Sequence, residues 1–297
     1  MKVLNFGSLN IDYVYSVDHF VRAGETLASD ELELFCGGKG LNQSIAFARA
    51  GAEVFHAGCI GKDGTMLTDT LQSSDVDTSL IKTNDKISTG HAIIQVNKNG
   101  ENCILLFGGA NLIISEEFAR EVISKFECGD LLVLQNEINN IDLIIKLANE
   151  KGLQTVLNPS PFNEKISALD LSLINWLILN ETEGKEITGK EDSNDILDTL
   201  LSRFPSMKVV LTLGADGSVY ADKDIRIKQD IFKANVVDTT AAGDTASGGL
   251  CAMLSKGEAI ENAMAFGSKA ASIACSRHGA QKSVPTLFEV LNYNEQE

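Results

Sequence analysis

A chain of 297 residues with 44% hydrophobic side chains is long enough to bury a large core, which excludes collagenous, disordered and disulfide-scaffold classes. A formal charge of -16, with no basic run interleaved with aromatics, argues against nucleic acid as a partner, while backbone N–H groups could still hold a small anion. The six cysteines (36, 59, 103, 128, 251 and 275) lack CxxC spacing and mostly occupy apolar runs, so they read as reduced core thiols of an intracellular protein.

The amino terminus, MKVLNFGSLNID, has no secretory pattern and no stretch approaches a bilayer span, so a soluble, cytoplasmic chain without membrane contact is expected. Val3 to Phe6 reads as a strand ending at Gly7, which puts Asn10 and Asp12 just beyond its carboxyl end, where open α/β sheets bind ligands. Val14 to Phe35 is irregular and strand-like, with a turn at Ala23-Gly24-Glu25. The stretch GGKGLNQSIAFARAG, Gly37 to Gly51, opens a helix that Gly51 caps, and a strand at Glu53 to Ala57 follows. Ile93 to Val96 and Cys103 to Phe107 flank Asn97-Lys98-Asn99-Gly100, a hairpin signal.

Beyond Asn111 the pattern alternates. Helices are expected at Glu116–Lys125, Ile141–Lys151 and Asp195–Phe204, with a final helical region at Asp244–Ser276. Strands are expected at Leu131–Gln135, Thr155–Asn158, Trp176–Leu179 and Lys208–Leu213. Alternation of this kind implies a parallel sheet with helices on both faces. The economical architecture is one αβα domain over 1–297, carrying a small β-sheet built from about 12–36 and about 90–109.

The histidines at 19, 56, 91 and 278 show no HExxH spacing, so no zinc site is expected. GCIGKDG, Gly58 to Gly64, has the wrong glycine spacing for a dinucleotide fingerprint, and GGKG does not match GxxxxGK[ST]. The stronger anion signal is DTTAAGDT, Asp238 to Thr245. There Ala241, Ala242 and Gly243 precede a helix start whose free N–H groups and dipole favour negative charge. Asp244 beside that anion could take a proton from an attacking hydroxyl. An Asp stabilised by a helix terminus is a weak base, which phosphoryl transfer tolerates because its transition state is loose. An ordinary capping Asp is the alternative.

Asn10-Ile11-Asp12, GGKGLNQS, the NETE segment at Asn180 to Glu183, TLGADG at Thr212 to Gly217, and DTTAAGDT together resemble the PfkB, or ribokinase-like, sugar kinases. The motifs occur in that family's order along essentially the whole chain. AAGD and the tail from Ala274 to Ser283 resemble the ribokinase branch, with His278 where a lysine is familiar.

The resemblance implies a three-layer αβα sandwich with a mostly parallel sheet and a β lid, and ATP-dependent phosphorylation of a free sugar, D-ribose first. It implies Asp244 as base and Ala241, Ala242 and Gly243 as anion hole. Asn10, Asp12, Gly38, Lys39, Asn42 and Glu137 become sugar-binding residues. Gly37 and Gly38 fall where the lid rejoins the main sheet. Asn180, Thr212, Gly214, Gly217 and Ser268 take the nucleotide, and Glu183 acts on Mg2+ through water. Asp238, Thr240, Ala274, Arg277, Gly279 and Ser283 match a K+ loop, and a homodimer through the lid is implied.

Alternatives stay open on the residues themselves. Asn180 and Glu183 also fit a capping box, and Gly214 and Gly217 fit a β-turn. Fructose, a nucleoside or a sugar phosphate could replace ribose. A binding protein that has lost catalysis would keep the fold, although the intact Asp244 motif argues against it.

Overall fold

The computed structural model describes residues 1–293, so the last four residues of the expected 1–297 domain lie outside the described residues. In chain order the first elements are β1 (Val3–Phe6), β2 (Asn10–Ser16), β3 (Glu31–Gly37), α1 (Lys39–Arg49), β4 (Val54–Gly61), α2 (Thr65–Gln72), β5 (Asp77–Asn84), β6 (Gly90–Val96) and β7 (Asn102–Phe107). Then come α3 (Glu116–Ser124), β8 (Leu131–Gln135), α4 (Ile141–Lys151), β9 (Gln154–Asn158), α5 (Glu164–Ser167), β10 (Trp176–Asn180), α6 (Glu181–Thr188), α7 (Ser193–Arg203) and β11 (Lys208–Thr212). β12 (Ser218–Ala221), β13 (Arg226–Gln229), α8 (Ala242–Ser255), α9 (Ile260–Cys275), α10 (Ala280–Ser283) and α11 (Leu287–Leu291) complete the described chain.

Continuous apolar runs such as LLVL and WLIL form strands buried on both faces, because successive side chains point to opposite sides and helices cover each side. Leu132 and Leu134 join a core with α3, α4 and α7, whereas Leu131 and Val133 join a second core with α1, α2, α8 and α9. The result is the expected αβα sandwich. Among the described residues, nine strands make its sheet in the order β13-β12-β11-β10-β9-β8-β1-β4-β5. β11 through β5 in that order run parallel, while β12 and β13 add an antiparallel edge that the sequence reading lacks.

The two excursions pair into a separate sheet ordered β3-β2-β6-β7. β2 and β6 run parallel from Asn10 opposite Gly90 to Ser16 opposite Val96, and the hairpin turns at Asn97, whose Oδ1 accepts from the N–H groups of Asn99 and Glu101. Only three residues separate the end of β1 from the start of β2, so this sheet rises beside the carboxyl ends of the parallel strands.

Some expectations need correction. The strand expected at Glu53–Ala57 runs on to Gly61, and α2 and β5 fill a region with no expected elements. The single helical region Asp244–Ser276 is two helices, broken where Gly257 takes φ 81°. Cys36, Cys59 and Cys251 are buried, but Cys103 and Cys128 are exposed, the first because every residue of β7 faces solvent. Among the described residues no helix is long and apolar enough to cross a membrane.

Candidate active site

α8 begins at a tight reversal in which Ala241 takes φ 58° and ψ 13°, the left-handed region, at a cost of roughly 1 kcal/mol for a residue with a Cβ. The Ala242 N–H turns back to the Thr239 carbonyl at 3.2 Å. The N–H groups of Gly243 and Asp244 lie in the first turn, where a helix offers no acceptor of its own. A Cβ placed on Gly243 would meet no described atom within 4 Å, so this end of the helix opens into free space.

α1 delivers the partners of Asp244. A Cβ on Gly248 would fall on the Ala46 methyl group, so only glycine at that position of α8 lets α1 pack this closely. The close packing brings Asn42 Nδ2 to 3.3 Å from Asp244 Oδ2 and Gln43 Nε2 to 2.9 Å from Asp244 Oδ1. Both amides donate, so each carboxylate oxygen is held while Asp244 stays 8% exposed. Asn42 Oδ1 is buried and, among the described residues, has no hydrogen-bond partner.

Lys39, the first residue of α1, sits among carboxylates. Burial pulls its ammonium down, but Asp244, Glu137 and Glu183 together hold it above its ordinary value, so it stays charged. Glu137 accepts from the Lys39 backbone N–H at 2.9 Å and from the Ser8 hydroxyl. Burial raises Glu137, with Asp244 adding to the rise and Ser8 and Lys39 opposing it. Asp12 on β2 is pushed up to about 7 by burial and by the charge of Glu137. Its carboxylate occupies the space a side chain at Gly37 would need, which assigns Gly37 to a close approach between β2 and β3. Asn10 Oδ1 accepts from Asn111 Nδ2 at 2.8 Å, and the Asn111 amide also clamps both backbone groups of Leu9. Gly38 caps α1 with φ 94°, between the two sheets.

A cleft of about 160 Å³ runs from Lys39 and the start of α8 to the ends of β9, β10 and β11, and the expected sugar-side residues Asn10, Asp12, Gly38, Asn42 and Glu137 do not line it. From the expected set it gathers Lys39, Asn180, Glu183, Thr212 and Ala241 to Asp244, and it adds Asn158, Ser160, Thr239 and Ser247, which the sequence reading missed. Asn158 and Ser160 carry a faint signal, as polar residues ending an apolar strand at the sheet's carboxyl edge. Asn180 and Glu183 form the capping box that was the alternative reading: Asn180 Oδ1 accepts from Glu183 N at 2.9 Å and Glu183 Oε2 from Asn180 N at 3.0 Å. The cap fixes Glu183 in the cleft wall with its second oxygen uncommitted to the cap.

Gly214, Gly217 and Ser268 do not line this cleft. The glycines flank the turn from β11 to β12, with Leu213 N–H bonded to the Gly217 carbonyl at 2.8 Å, and Ser268 on α9 donates to the Asp230 carbonyl at 3.1 Å. Behind α8, Asp238 accepts from Thr240 N at 2.8 Å and Gly279 N at 2.9 Å, tying the Asp238–Thr240 turn to the segment after α9. The Ala274 carbonyl accepts from Arg277 N at 3.0 Å, the Arg277 guanidinium pairs with Glu289 at 2.6 Å, and Ser283 Oγ donates to the Ala280 carbonyl at 2.7 Å. Any cation in this loop would therefore rest on main-chain oxygens. Among the described residues no cluster of three or more His, Cys, Asp or Glu could hold a metal by itself.

The chain resembles known proteins along nearly its whole length. The family model described as pfkB family carbohydrate kinase matches residues 1–287. A ribokinase of Haemophilus influenzae is 37% identical over 297 aligned residues, covering 97% of each chain. The ribokinase of Cryptococcus neoformans, solved in complex with ADP, superposes with a TM-score of 0.86 at 30% identity over 98% of each chain. That of Arabidopsis thaliana, complexed with ribose and ATP, gives 0.86 at 26% identity over 99% of each. On that family match and those relatives, the chain belongs to the pfkB family of carbohydrate kinases.

Proposed function

We propose that the protein transfers the γ-phosphate of ATP to the 5-hydroxyl of D-ribose, with Asp244 as general base. The observation that carries this is the placing of Asp244: buried, gripped by two amide donors, and next to the free N–H groups of α8. The sugar hydroxyl gives its proton to Asp244 as the new O–P bond forms and the bond to the β-phosphate breaks. The Gly243 and Asp244 N–H groups receive the charge on the transferring phosphoryl oxygens. Lys39 adds a fixed positive charge in the same cleft.

Mg2+ would neutralise the phosphates, and the uncommitted oxygen of Glu183 fits a contact through water. A site with few chain ligands suits an ion that retains its hydration. Main-chain oxygens of the Asp238–Thr240 and Ala274–Ser283 segments fit a K+ that braces the anion hole.

Asp12 and Glu137 support a neutral polyol over a second phosphate, since both carboxylates would repel a dianion. A carboxyl titrating near 7 both donates to and accepts from hydroxyls, which suits a sugar. The ribokinase names of the relatives support ribose in particular. ADP release should therefore be fastest with ribose among ribose, 2-deoxyribose, fructose, adenosine and fructose 6-phosphate, and faster with K+ than without. Release with fructose 6-phosphate alone would refute both the sugar assignment and the argument from Asp12 and Glu137.

The small sheet supports a lid and a homodimer. β3 and β7 are open edges, and Leu32, Leu34, Ile104, Leu105, Leu106 and Phe107 are exposed on it. Light scattering at working concentration should give twice the chain mass, falling to one chain mass for Leu105→Glu. A monomeric wild type contradicts this assembly.

A further inference from the structure

Gln43 follows the sugar-side Asn42, is 1% exposed, and is one of the two amide donors that grip Asp244. Its Nε2 donates to Asp244 Oδ1 at 2.9 Å and to Asn158 Oδ1 at 3.4 Å, while its Oε1 accepts from Gln135 Nε2 at 2.7 Å. Gln135 Nε2 also donates to Asn5 Oδ1 at 2.9 Å, and Asn5 Nδ2 donates to the Gly40 carbonyl at 2.7 Å and to Ser44 Oγ at 2.8 Å. Ser44 Oγ meets His56 Nδ1 at 2.8 Å, and Asn5, Gln43, Ser44, His56 and Gln135 are all buried.

A side-chain amide donates on one side and accepts on the other, so its orientation passes to its neighbour. The starting point is the Gly40 carbonyl, which only accepts. It turns the Asn5 NH2 towards itself and leaves Asn5 Oδ1 facing Gln135. Gln135 must then present its NH2, which also meets Gln43 Oε1, and the NH2 of Gln43 is left facing Asp244. Reversing one amide would set like against like in a buried place, at roughly 1–3 kcal/mol per unmade bond. Asn42 Oδ1 and Gln135 Oε1 are both unpaired among the described residues, but two side-chain oxygens fix the Gln135 NH2, whereas the Asn42 amide is held through its bond to Asp244.

We infer that Gln43, backed by Gln135 and Asn5, is a positioning residue that pins Asp244 Oδ1, leaving Oδ2 to take the proton from the sugar hydroxyl. Oδ2 is held by the longer 3.3 Å bond from Asn42, an amide free to turn when the sugar arrives. The inference rests on the kinase reading. In the transfer the sugar O–H bond breaks, the proton goes to Oδ2, the sugar oxygen bonds to phosphorus, and ADP leaves with the electrons of the broken P–O bond. Other charged groups facing Asp244 are Lys39 of α1 and Glu137 beyond β8, with Glu183 of α6 acting on Lys39. The far end of the chain carries no charge at working pH, since burial pushes His56 down to about 4.

Gln43→Glu keeps the shape but sets a carboxyl against Asp244, and two carboxyls sharing a site hold a proton to higher pH. The acid limb of the kcat profile should move up by about one pH unit or more, with KM for sugar and ATP within about threefold. Gln43→Leu should lower kcat roughly tenfold to a hundredfold, again with little change in KM, because the base loses its fixed orientation. Wild-type kcat and pH profile in both folded variants would overturn the inference, and so would a sugar KM effect with kcat unchanged. Independently of turnover, carbon-13 NMR should show the Asp244 carboxyl of Gln43→Glu titrating at higher pH than in the wild type. An unchanged titration there overturns the inference, whereas a wild type that phosphorylates no sugar overturns the kinase reading instead.

Discussion

Asp244→Asn should fold, bind ATP and lose about 10²–10⁴-fold in kcat, the range that a positioned general base contributes. The fold is expected to survive because the surroundings accommodate an amide. Gln43 presents a fixed donor to one oxygen, which the asparagine carbonyl still accepts. The new NH2 then faces Asn42, whose unpaired Oδ1 becomes its acceptor once that amide turns. The KM for sugar and ATP should change by only a few-fold, since the hydrogen-bonding shape is kept and the lost feature is the ability to accept a proton. Steady-state kinetics beside isothermal titration with ATP separates these effects. Turnover near that of the wild type would remove Asp244 from the role of base.

Lys39→Met should cost both activity and stability. With the ammonium gone, Glu137, Glu183 and Asp244 face one another without the cation that now sits among them. Removing one partner of a fully buried pair costs about 3–5 kcal/mol, and because Lys39 is half-buried about 2 kcal/mol is expected. The pH dependence has a definite sign. Lys39 is held above its ordinary value, so its contribution is present throughout the neutral range and is lost only at strongly alkaline pH. Burial already raises Glu137, and loss of Lys39 removes an influence that lowers it. A buried acid that is raised further costs stability above its unfolded value and nothing below it. The gap between variant and wild type in urea unfolding should therefore be widest at pH 8 and close as pH falls towards about 4.5. A gap independent of pH would show that packing, and not charge, is what Lys39 supplies. Loss of a fixed charge from the phosphate cleft should also lower kcat/KM by about 10²–10³-fold.

The αβα layers were legible because parallel strands buried on both faces leave uninterrupted apolar runs, as LLVL and WLIL do. The hairpin at Asn97 was legible for a local reason, its turn chemistry. β12 and β13 were not, since both are four-residue strands with polar outer positions and depend on pairing with β11. The break between α8 and α9 falls at Ser255-Lys256-Gly257-Glu258, a short polar interruption with a helix-ending glycine that the sequence reading ran through.

At the site, Asp244 and Lys39 stood out through their motifs, whereas their environment did not. Gly37 stood out as a point where the lid rejoins the main sheet, and the structure fills its space with the Asp12 carboxylate from the neighbouring strand β2. Gln43 lay within the GGKGLNQ stretch, but its partners come from β8, β9 and α8. Asn158 and Ser160 reach the cleft only because β9 lies beside β10 and β8 in the sheet. Asn111 clamps Leu9 across about a hundred residues of sequence, a contact no local pattern encodes.

The Asn180–Glu183 pair shows that two readings of one motif need not compete. The capping box is present, and it is also what holds Glu183 in the cleft wall. A charge-neutral replacement of Glu183 would loosen the start of α6 and change the cleft wall together.

Phosphorus-31 NMR of a mixture of the protein, ATP, Mg2+, K+ and D-ribose tests the central claim most directly. ADP and a phosphate monoester on the ribose 5-oxygen should accumulate in equal amounts, both about 10²–10⁴-fold more slowly with Asp244→Asn. Inorganic phosphate released at the same rate with or without ribose, or no ADP with any sugar, would contradict it.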